Sequence, residues 1–153
     1  MVRAGEMLAE LSSNLSLPTV RFMGWLMCKI NRRLVNARVT GHADAEANCP
    51  RLLSARPVVL LPTHKSYLDF LLVSWVLFAF DLRVPHIAAG HDFLNMALIA
   101  TLFRRSGAFF IPRKIFKDPL WTAVLSEYTS ELVKQNQWIE FFIEGSRSRS
   151  GKP

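Results

Sequence analysis

A histidine and an aspartate stand five residues apart in the segment Pro62-Thr63-His64-Lys65-Ser66-Tyr67-Leu68-Asp69. A carboxylate bonded to one imidazole nitrogen fixes the ring's tautomer and favours the imidazolium, leaving the other nitrogen to draw a proton from a hydroxyl. His64 and Asp69 are therefore a candidate general-base dyad. An acceptor molecule's own hydroxyl, activated in this way, attacks a carbonyl without a serine or cysteine nucleophile. The same spacing also fits a histidine that caps the next helix beside a solvated first-turn acid. Farther along, Gly107-Ala108-Phe109-Phe110-Ile111-Pro112-Arg113-Lys114 ends on two cations. Arg113 by forked hydrogen bonds and Lys114 as a point charge suit a phosphate, although a solvated basic turn has the same composition. A third segment crowds Glu144, Gly145, Ser146 and Arg147, then Ser148 and Arg149, into one stretch. A carboxylate, a glycine permitting close backbone approach and two arginines favour an anionic ligand. A flexible Arg-Ser tail that binds RNA is the other reading.

Each segment needs an element that presents it. Short apolar runs of strand length occur at 58–61 (VVLL), 86–89 (HIAA), 108–111 (AFFI) and 139–143 (IEFFI). Between them the sequence predicts helices over about residues 66–80, 92–105 and 118–137, the last opened by Asp118 as cap with Pro119 at the first helical position. This β-α-β-α-β-α-β alternation predicts an α/β fold, a mixed, partly parallel sheet covered by helices. Ligands of such sheets gather at the carboxyl ends of the strands. All three segments lie there, so one pocket is expected to collect the dyad, the cation pair and the acid-plus-arginine loop. Residues 1–56 read as an N-terminal helical layer with a turn-prone patch through Gly41, His42, Asp44, Asn48 and Pro50. Residues 57–153 form the domain that carries the motifs.

Half of the 153 residues are apolar, enough to build the core of one domain. Nineteen Lys and Arg against twelve Asp and Glu leave a formal charge of +7, which favours an anionic partner: phosphate, coenzyme A, anionic lipid or nucleic acid. Nucleic acid is the least favoured, because Phe109, Phe110, Phe141 and Phe142 fall in strand cores and leave no stacking platform. Cys28 and Cys49 form no CxxC pair, which argues against a disulfide framework or a cysteine zinc site. His64, His86, His91, Asp69 and Asp92 lack the spacing of a zinc protease, and no metal is expected. Glu6 and Glu10 make the N-terminus unlike a secretory signal. The apolar run at 70–80 is fenced by Asp69 and Asp81, whereas a membrane-spanning helix takes about 20 residues, so a buried or interfacial helix is predicted. Residues 17–34 mix Phe22, Trp25, Leu26 and Met27 with Arg21, Lys29, Arg32 and Arg33. That mixture suits a helix lying at a membrane surface or one packing on the domain's own core.

In order and spacing, His64-x4-Asp69, Gly107-x-x-Phe110-Ile111-x-Arg113 and Phe142-x-Glu144-Gly145-Ser146-Arg147-Ser148 resemble the first three sequence blocks of the glycerolipid acyltransferases. The resemblance covers roughly 57–152. Within it, the runs at 86–93 (HIAAGHDF), 106–110 (SGAFF) and 126–128 (SEY) resemble the dihydroxyacetone phosphate acyltransferase branch. Glycerol-3-phosphate acyltransferases are the near relatives. The resemblance implies transfer of a fatty acyl group from acyl-CoA, as co-substrate and with no further cofactor, to a phosphorylated three-carbon acceptor at a membrane surface. It implies His64 as the base, Asp69 as its orienting partner and Arg113 as the ligand of the acceptor phosphate, with Lys114 a weaker addition. Glu144, Gly145, Ser146 and Arg147 would complete the acceptor site. The compartment it implies is the peroxisomal membrane, with the mitochondrial outer membrane as the alternative. The family's fourth block, a proline-containing apolar strand, would fall beyond Pro153, so the acyltransferase domain is expected to be incomplete at its C-terminus. A non-catalytic member is the alternative that this leaves open.

Overall fold

The structure, a computed structural model, describes residues 2–34, 57–66, 69–113 and 115–145, with backbone alone at 34 and 116. Its centre is a four-stranded sheet of β1 (Val59–Leu60), β2 (His86–Gly90), β3 (Ala108–Ile111) and β4 (Ile139–Glu140), in the order β1-β4-β2-β3. Every pairing is parallel, so the parallel character expected from the alternation extends across the sheet. Strands covered on both faces read as unbroken apolar runs, and β3 shows why. Phe109 points to one face among Leu11, Leu132 and Ile139. Ala108 and Phe110 point to the other, against Ala100, Phe93 and Phe103.

The helices are α1 (Val2–Leu11), α2 (Leu17–Leu34), α3 (Asp69–Ala79), α4 (Ala97–Arg105) and α5 (Pro119–Lys134). Helices α1 and α5 pack on each other over one face of the sheet, and α2 packs on α3 and α4 over the other. The start of α5 follows the expected chemistry: Asp118 accepts the Leu120 amide at 3.0 Å, and Pro119 occupies a position where its missing N–H leaves no bond unmade. Several elements are shorter than expected: β1 is limited to Val59–Leu60, α3 starts at Asp69 and α5 ends at Lys134. The helix expected over 92–105 starts only at Ala97, behind a 3₁₀ turn at His91–Asn95; Met96, at φ −112° and ψ 84°, lies outside helical space and separates the two. Strand β4 stops at Glu140 rather than at 143. The Phe141 amide still reaches Leu60 O at 3.0 Å, after which the chain turns toward Gly145.

The N-terminal layer is fastened to the sheet by polar contacts. The last carbonyls of a helix have no partner within it, and at the end of α1 Arg104 donates to the carbonyls of Ala9, Glu10 and Ser12. Buried His86 opens β2, its Nδ1 2.7 Å from Ser13 Oγ, which in turn lies 3.1 Å from the Tyr128 hydroxyl. Burial is the main cause that keeps the His86 pKa below the usual histidine value, against a raising hydrogen bond from Gln137. Helix α2 buries Val20, Gly24, Met27 and Asn31 at helical spacing and turns Leu17, Phe22 and Trp25 outward together with Arg21, Lys29, Arg32 and Arg33. No helix among the described residues is long and apolar enough to cross a membrane. The turn-prone patch at 41–50 lies outside the described residues.

Candidate active site

Because the strands run parallel, the loops that leave their carboxyl ends share one rim. His64 stands four residues past Leu60, Asp92 two past Gly90, Arg113 two past Ile111 and Glu144 four past Glu140. The rim borders a cleft of about 1150 Å³ whose lining includes His64, Lys65, Asp92, Arg113 and Gly145. Ligand sites commonly measure about 300–1,000 Å³, so the cleft is of a size to take a ligand.

The dyad is local in origin. Asp69, the first residue of α3, reaches back to the Lys65 amide at 2.6 Å and the Ser66 amide at 2.7 Å, as an acid in a helix's first turn does for donors ahead of it. It also accepts the Ser66 hydroxyl at 3.1 Å. The same Oδ2 lies 3.1 Å from His64 Nδ1. Burial disfavours the charge on Asp69, but the Ser66 amide, the His64 ring, the Lys65 amide and the Ser66 hydroxyl together outweigh it and hold the carboxyl below its usual range. An ionised carboxylate only accepts hydrogen bonds. The contact therefore requires a hydrogen on His64 Nδ1, the tautomer that places the lone pair of a neutral ring on Nε2. Beneath the ring lies Phe142, centroids 4.4 Å apart. From the other side Glu144 Oε2 accepts the His64 backbone N–H at 2.6 Å, so Glu144 braces the base's backbone rather than its ring. Gly145 turns the chain at φ 63° in open space.

Arg113 lies on the rim, where its Nε donates to Asp92 Oδ2 at 2.9 Å and its Nη2 donates to the same oxygen. The sequence shows both residues but not the pair, which depends on a strand register, Gly90 opposite Ile111, that no local pattern reveals. Phe142, expected in a strand and at the head of the third motif block, lies beyond β4 instead, and its contact with the His64 ring has no signal in the sequence. Lys114, Ser146 and Arg147 lie outside the described residues. The other candidate metal ligands are engaged separately: His86 with Ser13, His91 with Glu10 and Asp92 with Arg113. Phe70 and Phe103 on the apolar side of the cleft also line a small separate cavity of about 40 Å³ between α2, α3 and α4, beside Met23, Met27, Leu71 and Phe78.

The chain is similar to known proteins over nearly its whole length. It is 41% identical to dihydroxyacetone phosphate acyltransferase of Mus musculus over 97% of its residues. The identity to the Oryctolagus cuniculus protein of the same name is 43% over 96%. A probable mitochondrial glycerol-3-phosphate acyltransferase of Caenorhabditis elegans is 36% identical over 98%. The chain spans 22% of the length of each of these relatives. The model of the Acyltransferase family matches residues 36–153. Since that match runs through both members of the dyad, Arg113 and the Glu144 loop, this chain belongs to the acyltransferase family.

Proposed function

We propose that this chain transfers a fatty acyl group from acyl-CoA to the free hydroxyl of dihydroxyacetone phosphate, with His64 as general base. The observation that carries this reading is the bond from His64 Nδ1 to Asp69 inside the cleft, which leaves Nε2 to accept a proton. As Nε2 takes the hydroxyl proton, the acceptor oxygen attacks the thioester carbonyl. The carbon–sulfur bond then breaks, and the proton passes to the departing thiolate, giving the ester and free coenzyme A. The Asp69 carboxylate supports the imidazolium formed in between. Arg113 binds the acceptor's phosphate at the rim, and the apolar wall of the cleft at Phe70, Phe93 and Phe103 faces the acyl chain. The relatives named for dihydroxyacetone phosphate favour the ketone acceptor. The Caenorhabditis elegans relative favours a second acceptor, glycerol-3-phosphate. The outward face of α2, apolar at Leu17, Phe22 and Trp25 and basic beside them, suits contact with an anionic membrane surface.

The test is transfer of radiolabelled palmitate from its CoA ester by the purified chain on liposomes, with both acceptors offered side by side. Transfer with preference for the ketone supports the reading, and preference for the alcohol replaces the acceptor. The His64→Ala variant should lose about 10² to 10⁴ in kcat, the usual worth of a general base. Unchanged turnover in that variant removes the dyad from the mechanism.

A further inference from the structure

We propose that Asp92 is an internal counter-ion for Arg113, occupying the guanidinium when the site is empty and exchanging with the acceptor's phosphate when it arrives. The inference rests on the reading of Arg113 as the phosphate ligand. Its basis is the sheet register. Gly90 and Ile111 pair directly across β2 and β3, and Asp92 and Arg113 each stand two residues beyond that pair, so the strands deliver the two side chains to the same point of the rim. One carboxylate oxygen takes both the Nε and Nη2 hydrogens, a contact that helps to set the plane of the guanidinium. Both residues line the cleft that contains His64.

Exchange is feasible because the pair is wet. The Arg113 and Asp92 side chains are 79% and 59% exposed, so water already competes for the contact and a phosphate loses little by displacing the carboxylate. A phosphate presents two oxygens to the guanidinium where Asp92 presents one, and with more charge. Asp92 therefore keeps Arg113 aimed across the cleft mouth and weakens its hold on phosphate enough for acceptor and product to turn over.

The experiment is a titration with inorganic phosphate followed by phosphorus NMR, on the wild-type chain and on Asp92→Asn, Arg113→Ala and the double variant. Asp92→Asn keeps an acceptor oxygen beside Arg113 and removes only the charge. It should tighten phosphate binding about two- to fivefold, the worth of an exposed ion pair, and lower the acceptor KM by a similar factor, with the change in KM rather than kcat. In the Arg113→Ala background the same substitution should change nothing, because the competition acts through the guanidinium. Tightening of the same size in both backgrounds would reduce Asp92 to a distant repulsive charge and overturn the exchange. Weaker or unchanged binding by Asp92→Asn, with Arg113→Ala impaired, overturns the counter-ion and leaves the phosphate role of Arg113 standing. Unchanged binding by Arg113→Ala overturns both.

Discussion

Glu140 is fully buried in β4, a strand paired on both sides, and neither of its carboxylate oxygens has a hydrogen-bond partner among the described residues. Burial raises its pKa from 4.5 to about 8, so the folded chain holds this proton at neutral pH while the unfolded chain releases it. The sign follows from that difference. Below pH 4.5 both states are protonated and Glu140 favours neither. As pH rises toward 8 the unfolded state alone gains from ionising, and stability falls by about 1.4 kcal/mol for each pH unit. At about pH 7 the accumulated cost is about 3 kcal/mol, a large share of the ~5–15 kcal/mol that holds a domain together. Glu140→Gln keeps the shape and stays neutral throughout. Its urea unfolding free energy should equal that of the wild type in mild acid, exceed it by about 3 kcal/mol at neutral pH and level off above pH 8. The comparison cancels every other titrating group, including His86, whose lowered pKa works in the opposite sense and withdraws stability as pH falls below 6.5. A difference between the two proteins that does not change with pH would refute the reasoning, because it would mean that Glu140 is ionised in the fold or paired there.

Two further substitutions test the scaffold. Gly107 has φ 105°, and a Cβ placed on it would meet the Pro85 carbonyl oxygen at 2.8 Å. Gly107→Ala should therefore destabilise by about 2 kcal/mol or more, read as a lower thermal midpoint, since both the dihedral and the contact are backbone-fixed. Asp118→Ala removes the cap of α5 and the exposed contact to Arg3, and should lower the urea-derived stability by about 1 kcal/mol, nearly all of it from the cap.

What could be read from the sequence was set by local physics. The run at 108–111 is bounded on one side by Gly107 and on the other by Pro112, and its strand has the predicted limits. Asp118 and Pro119 mark a helix start because a cap needs only its own neighbours. The sheet order is another matter. β4 lies between β1 and β2, which no short-range pattern encodes, and that placement makes Glu140 an interior residue and sets Phe142 beneath the His64 ring. The helix expected from residue 92 fails for a related reason: the chain leaving β2 first makes a 3₁₀ turn that carries Asp92 to Arg113, a tertiary contact overriding a helix-compatible sequence.

The spacing of His64 and Asp69 left two readings, a helix-start cap and a base dyad; one carboxylate caps the backbone ahead of α3 and also lies against the His64 ring, the contact that the proposed dyad needs. Asp69 Oδ2 accepts the amides of Lys65 and Ser66 and lies within hydrogen-bond reach of His64 Nδ1. The amide bonds satisfy backbone donors ahead of α3 and fix the carboxylate without calling on the histidine. The ring thus meets an acceptor whose position is already set, with Phe142 limiting its tilt and Glu144 holding its backbone. Orientation of a base is most effective when its partners are ordered before substrate arrives. Here most of that ordering is a by-product of starting a helix: the amides ahead of α3 set the carboxylate that the His64 ring meets at the end of a strand.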